Sequence, residues 1–214
     1  MKKIRAVILD FDGVLAESNQ EKEAAFEEFF ALYPEHRQAM RDFHLSHRPH
    51  PRREKFKYYV EVLMGRPGDR QLVEEMASQF SEMVLNRVIA CPPVLGSIEF
   101  LQEFSSRISL YISSVTPQEE LRGIIRKRGI ETYITEAFGN PPISKEAAIT
   151  RVLEREKVGP EEVAFVGDSL SDYRAATAAG LIFWGRDSGQ SFGGAKVELY
   201  PDLHAIAAVV RERL

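Results

Sequence analysis

Four short β-branched runs, at 4–9, 108–112, 163–166 and 181–184, constrain this chain more than any other feature. The last three alternate with helix-patterned stretches. That alternation predicts an α/β fold, a parallel sheet covered by helices on both faces. Several helix ends are legible. Thr116, Pro117 and Glu119 predict a capping box with Pro at the first helical position, ahead of "LRGIIRKR" and a stop at Gly129. Ser144 is placed to cap "KEAAITRVLEREKV", closed by Gly159, and a helix beginning near Ser171 closes at Gly180.

The stretch 19–90 reads differently, with no strand pattern and at least three helical segments. "QEKEAAFEEFFALY" places Ala25, Phe26, Phe29, Phe30 and Leu32 on one apolar stripe, and "RQLVEEMASQFSEMVLNRV" repeats Leu72, Val73, Met76, Phe80, Met83 and Val84. This predicts a helical insertion, 19–90, between two parts of a sheet domain, 1–18 and 91–214, with Pro92, Pro93 and Gly96 at the junction.

At 214 residues the chain can bury a substantial core. Its formal charge of −4 argues against a nucleic-acid or membrane-surface binder, which needs a basic face. Cys91 is the only cysteine, so intrachain disulfides and cysteine metal clusters are excluded. The apolar run at the N-terminus stops at Asp10, too early for a signal peptide or a membrane span. A cytoplasmic protein is expected. The sequence says nothing of oligomeric state.

The first strand ends in "DFDG". Side chains at i and i+2 of a strand share a face, so Asp10 and Asp12 can point together off its end, where two adjacent negative charges invite a cation. Asp and Gly are also ordinary turn residues, and the motif alone decides nothing. A second apolar strand ends in Gly167 and Asp168, with Asp172 four residues on in the first turn of a helix. In a parallel sheet the two strand ends converge on the crevice where α/β proteins bind ligands. Oxygen-only ligands suit a hard divalent ion such as Mg²⁺. Lys145 opens a helix, where a cation opposes the macrodipole unless an anion lies nearby. Ser113 and Ser114 close a strand just ahead of a helix start, a ready phosphate cradle.

Taken together these motifs resemble the haloacid dehalogenase superfamily of hydrolases, in the branch with a helical cap inserted after the first motif. That branch includes phosphoglycolate phosphatases and β-phosphoglucomutases. "DFDGVLAES", "YISS", Lys145 and "GDSLSD" stand in the family's order. The resemblance implies a Rossmann-like core with an α-helical cap and assigns roles. Asp10 would be the nucleophile that forms an aspartyl phosphate, and Asp12 the general acid and then base. Mg²⁺ would be held by Asp10, the Asp12 main-chain carbonyl and Asp168, with Asp172 in support. Ser113, in preference to Ser114, and Lys145 would bind phosphoryl oxygens. An Asp at position 12 points to phosphate monoesters or phosphosugar transfer. Glu17 and Ser114 depart from the residues common in relatives.

The segment 41–57 carries six Lys or Arg against two acids, with His44, His47 and His50. Pro49 and Pro51 prevent one helix from aligning the histidines as a zinc site. The segment is expected to read the leaving group through Arg48, Arg52, Arg53 or Lys55, Arg being the better fork for an anion. A solvated loop is the alternative. The expected function is a Mg²⁺-dependent phosphatase of a small phosphorylated metabolite. Two alternatives stand beside it: a phosphosugar mutase with the same machinery, and a non-catalytic sensor of a phosphate ligand.

Overall fold

The structure, a computed structural model, describes residues 2–47 and 50–214. The chain divides into two compact units, Met1–Glu17 with Pro92–Leu214, and Ser18–Cys91.

The first unit is a sheet of six parallel strands in the order β3-β2-β1-β4-β5-β6. They are β1 (Ala6–Leu9), β2 (Ser109–Ser114), β3 (Glu136–Gly139), β4 (Val163–Gly167), β5 (Ile182–Arg186) and β6 (Leu199–Tyr200). The strand order reverses between β1 and β4, which makes a crevice at their carboxyl ends, the ligand-binding place of doubly wound sheets. The expected Rossmann-like core is therefore present.

Apolar residues make up β1 and β4, which are buried throughout, as central parallel strands require. Ala6, Ile8, Tyr111 and Phe165 share a cluster with Ala148, Ile149 and Val152 of α7 (Lys145–Glu156) and Ala175 and Ala176 of α8 (Leu170–Ala178). The alternate residues Val7, Leu9, Ala164 and Val166 point to the other face and are buried too. Burying a side chain of this size contributes about 1.5–3 kcal/mol before chain entropy is subtracted. The unit also contains α5 (Ser97–Phe104), α6 (Gln118–Lys127) and α9 (Leu203–Arg211); α5 packs on β2 and α9, and α6 on β3.

The second unit holds α1 (Asn19–Phe30), α2 (Arg37–Ser46), α3 (Arg52–Tyr58) running into a π-helical turn (Tyr59–Leu63), and α4 (Arg70–Ala90). Its core is aromatic. Phe26 stacks on Phe80 at 4.1 Å between ring centroids, and Phe29 meets Phe80 edge-on.

Several local expectations are corrected. β3 and β6 carry no strand signal: β3 is four residues with Ala and Gly, and β6 is two residues. Leu32 lies beyond the end of α1 and is exposed, whereas Ala25, Phe26, Phe29 and Phe30 are buried. Leu72 and Met83 are half-buried, at the margin of the α4 stripe. Gly159 does not close α7. Lys157 does, in the left-handed region at φ 55°. Thr116 makes no side-chain cap on α6, because its hydroxyl points elsewhere.

Candidate active site

Beyond β1 the backbone keeps its pairing for one more residue, Asp10 N–H donating to the Val166 carbonyl at 2.9 Å. It then folds back. The Phe11 carbonyl accepts from Leu15 N–H and Ala16 N–H at 2.9 and 3.1 Å, and Gly13 sits at φ 72°, which glycine adopts without strain. This bend holds the two carboxylates at the strand end. One Asp10 oxygen accepts from Phe11 N–H at 2.8 Å.

Beyond β4, Ser169 caps α8. Its hydroxyl accepts from Asp172 N–H, while the Asp172 carboxylate accepts from Ser169 N–H at 3.1 Å. This capping box explains an acidic residue in the first turn, and it also turns Asp172 inward, where the residue is completely buried. Gly167 makes the approach possible: a Cβ there would lie 2.3 Å from Asp172 Cβ. Lys145, the first residue of α7, is buried, its Nζ 3.2 Å from Asp10 Oδ2 and in an ion pair with Asp172 Oδ1. Its odd position at a helix start is thereby accounted for.

Carboxylate oxygens of Asp10, Asp168 and Asp172 lie within 4.8 Å of one another. The Asp12 carboxylate is outside that set, although Asp12 is buried as well. Burial pushes the Asp10 carboxyl well above its ordinary pKa; Lys145 opposes that, and Asp172, Asp168 and Asp12 add to it. Burial would lower the Lys145 ammonium, yet Asp10 and Asp172 outweigh it and hold the amine charged. Three converging buried carboxylates, two of them paired with the one lysine, outnumber its positive charge. Oxygen donors, close spacing and excess charge together fit a hard divalent cation.

Ser113 and Ser114 separate in role. The register pairs Leu9 with Ile112, which puts Ser113 level with Asp10 one step further on. Ser113 Oγ is buried with no hydrogen-bond partner. Such an orphan costs stability unless a ligand meets it. The Ser114 hydroxyl points to Asp12 Oδ2 at 3.4 Å and accepts from Thr116 N–H at 3.1 Å. The Thr116 hydroxyl reaches the same Asp12 oxygen at 3.5 Å. Thr116, which reads in sequence as a helix cap, thus joins Ser114 in directing a hydroxyl at Asp12.

Two further contacts have no sequence signal at all. Arg186, at the end of β5, forks onto both oxygens of Glu17 and donates to the Gly13 carbonyl at 3.2 Å, tying down the loop after Asp12. Gln190 Nε2 donates to Asp168 Oδ2 at 3.1 Å. Both come from the end of β5 and the connection after it, distant in sequence from the motifs they touch.

In the helical unit, Arg48 lies outside the described residues. Arg52 donates to Ser81 Oγ at 2.7 Å and lies over the Phe80 ring. Arg53 pairs with Glu74 at the surface. Lys55 is buried, with its Nζ 3.2 Å from His44 Nδ1 and above the Phe26 ring. His44 faces Glu23 through its other nitrogen, and His47 stacks on Phe43. Among the described residues the histidines form no metal-ligand set.

The family model for haloacid dehalogenase-like hydrolases matches residues 4–180. A phosphorylated carbohydrates phosphatase of Thermotoga maritima is 30% identical over 187 residues, covering 83% of this chain and 82% of its own. A phosphoglycolate phosphatase of Synechococcus elongatus is 30% identical over 111 residues, 47% of this chain and 52% of its own. The crystal structure of a predicted phosphoglycolate phosphatase from Haemophilus somnus superposes with a TM-score of 0.76 at 16% identity, covering 98% of this chain and 99% of that one. Another, from Thermotoga maritima and provisionally named a β-phosphoglucomutase, gives 0.69 at 27% identity, over 99% and 100%. With the motif carboxylates and Lys145 gathered at the sheet's switch point and the family match running through most of the chain, this protein belongs to the haloacid dehalogenase-like hydrolases.

Proposed function

We propose that this hydrolase is a Mg²⁺-dependent phosphatase of a small phosphorylated metabolite, working through an aspartyl phosphate on Asp10. The observation that carries the reading is the buried group of Asp10, Asp168 and Asp172 around Lys145, level with the unpartnered hydroxyl of Ser113. Asp10, the Asp12 main-chain carbonyl and Asp168 would hold Mg²⁺, supported by Asp172; the ion would offset the carboxylate charge and stabilise charge on the phosphoryl oxygens.

The chain's own groups supply the rest. An Asp10 oxygen attacks phosphorus while the ester P–O bond breaks, and Asp12 gives its proton to the leaving oxygen. Asp12, now ionised, takes a proton from water, whose oxygen attacks the phosphorus of the aspartyl phosphate and releases phosphate and free Asp10. Lys145 and Ser113 hold phosphoryl oxygens during both transfers. The hydroxyls of Ser114 and Thr116 orient Asp12 for its two roles.

Relatives named for phosphorylated carbohydrates and phosphoglycolate make sugar phosphates and phosphoglycolate the first compounds to assay. Inorganic phosphate release from such a panel, with and without Mg²⁺ and against Asp10→Asn, tests the reading. Metal-dependent release that the variant loses supports it; no release from any compound sinks it. The likeness to a β-phosphoglucomutase supports one second reading, transfer to another sugar hydroxyl. That enzyme would isomerise a sugar monophosphate, need a bisphosphate activator and free little phosphate. Family membership among hydrolases weighs against a non-catalytic sensor.

A further inference from the structure

We infer that Gln190 is a positioning residue for Asp168, setting the affinity of the site for its divalent ion; the inference rests on the metal-dependent reading above. Every carboxylate in the converging set has an oxygen tied by a donor. Asp10 is held by the N–H of its neighbour Phe11, and Asp172 by Ser169 three residues away. Asp168 is held by Gln190, twenty-two residues on, in the connection between β5 and β6. That connection lies beyond residue 180, where the family match ends, while Asp168 lies within it.

The geometry suits the task. Nε2 is the atom that meets the carboxylate, because Oε1 in its place would set lone pairs against lone pairs. An amide fixes the carboxylate without charge, whereas a lysine or arginine there would neutralise a ligand and weaken its hold on a cation. The connection carrying Gln190 is itself anchored on both sides. Upstream, Arg186 is clamped to Glu17 and Gly13, and Asp187 N–H donates to the Tyr200 carbonyl at 2.8 Å. An Asp187 side-chain oxygen accepts from Gly189 N–H at 3.1 Å, with Gly189 at φ 80°. Downstream, Phe192 is buried against Phe183. Gln190 is half-buried between these anchors, so its amide can be removed without opening the core.

The test is direct calorimetric titration of Mg²⁺, and of Mn²⁺ as a tighter probe, into the substrate-free protein. Parent, Gln190→Ala, Gln190→Leu and Asp168→Asn are compared, with the unfolding midpoint of each in EDTA. Partners of metal-ligating groups are typically worth 10–100-fold in affinity, so both Gln190 variants should bind roughly tenfold or more weakly, with EDTA midpoints unchanged. A purely structural role would lower those midpoints instead. If Asp168→Asn loses the metal while the Gln190 variants bind like the parent, the positioning role is wrong and the metal site stands. If Asp168→Asn also binds like the parent, the metal reading fails and takes the inference with it.

Discussion

At the scale of single residues, Asp10 and Ser113 carry the sharpest expectations. Burial raises the Asp10 pKa in the folded protein above its unfolded value of 3.8. Between those two values the folded state holds a proton that the unfolded state has lost. Stability contributed by Asp10 is therefore full below the unfolded pKa and is lost as pH rises through the folded one. In EDTA, Asp10→Asn should remove this loss, so the stability of the variant relative to the parent should rise from pH 4 to pH 8. Denaturant unfolding at both pH values checks it, and phosphate release by the same variant should fall roughly a thousandfold or more. Ser113→Ala should behave in the opposite sense from an ordinary buried-serine replacement. Its hydroxyl has no partner in the protein, so stability should hold or rise, while kcat/KM falls roughly 10–100-fold through the lost bond to a charged phosphoryl oxygen. A stability loss with unaltered kinetics would show that the hydroxyl serves the fold.

At the scale of elements, the site depends on how closely α8 starts against the end of β4. Gly167 permits that contact, since any Cβ would meet Asp172 at an impossible distance. Gly167→Ala should cost about 1–3 kcal/mol by overpacking and should push Asp172 off Lys145. Thermal unfolding measures the first effect; weakened Mg²⁺ binding in the folded variant measures the second. The start of α7 shows how one helix end serves two purposes. Ser144 accepts from Ala147 N–H at 3.2 Å, fixing the first turn, and the next residue is the lysine of the cluster. Ser144→Ala should cost about 1 kcal/mol of stability, typical of a lost cap, and thermal unfolding would register it.

At the scale of the whole molecule, two units with separate cores need not unfold as one. The acid cluster belongs to the sheet unit, so a saturating divalent ion should stabilise that unit alone. At an ion concentration a hundred times Kd the gain is about 2.7 kcal/mol, a shift of roughly 5–10 °C in the midpoint of that unit. Calorimetry in Mg²⁺ and in EDTA should show it, and the shift should vanish in Asp168→Asn. No helix among the described residues is long and apolar enough to cross a membrane.

The sheet class was legible from the chain alone, and Asp10, Asp12, Lys145 and Asp168 stood out there as charges at strand ends and a helix start, because strand pattern and strand-end chemistry are local properties. Strand order, and with it the meeting of β1 and β4 at the switch point, is a matter of pairing between segments more than 150 residues apart. β3 and β6 were invisible because short edge strands take their conformation from a neighbour's hydrogen bonds rather than from their own side chains. Thr116 looked like a cap because a hydroxyl before Pro has the same local signature whichever partner it finds; only the nearness of Asp12 gave it another. Arg186 and Gln190 carry no local signal, since a single polar residue in a loop acquires meaning solely from what the fold sets beside it. Types of chemistry were written in the sequence, and the pairing of sheet strands decided which atoms could share it.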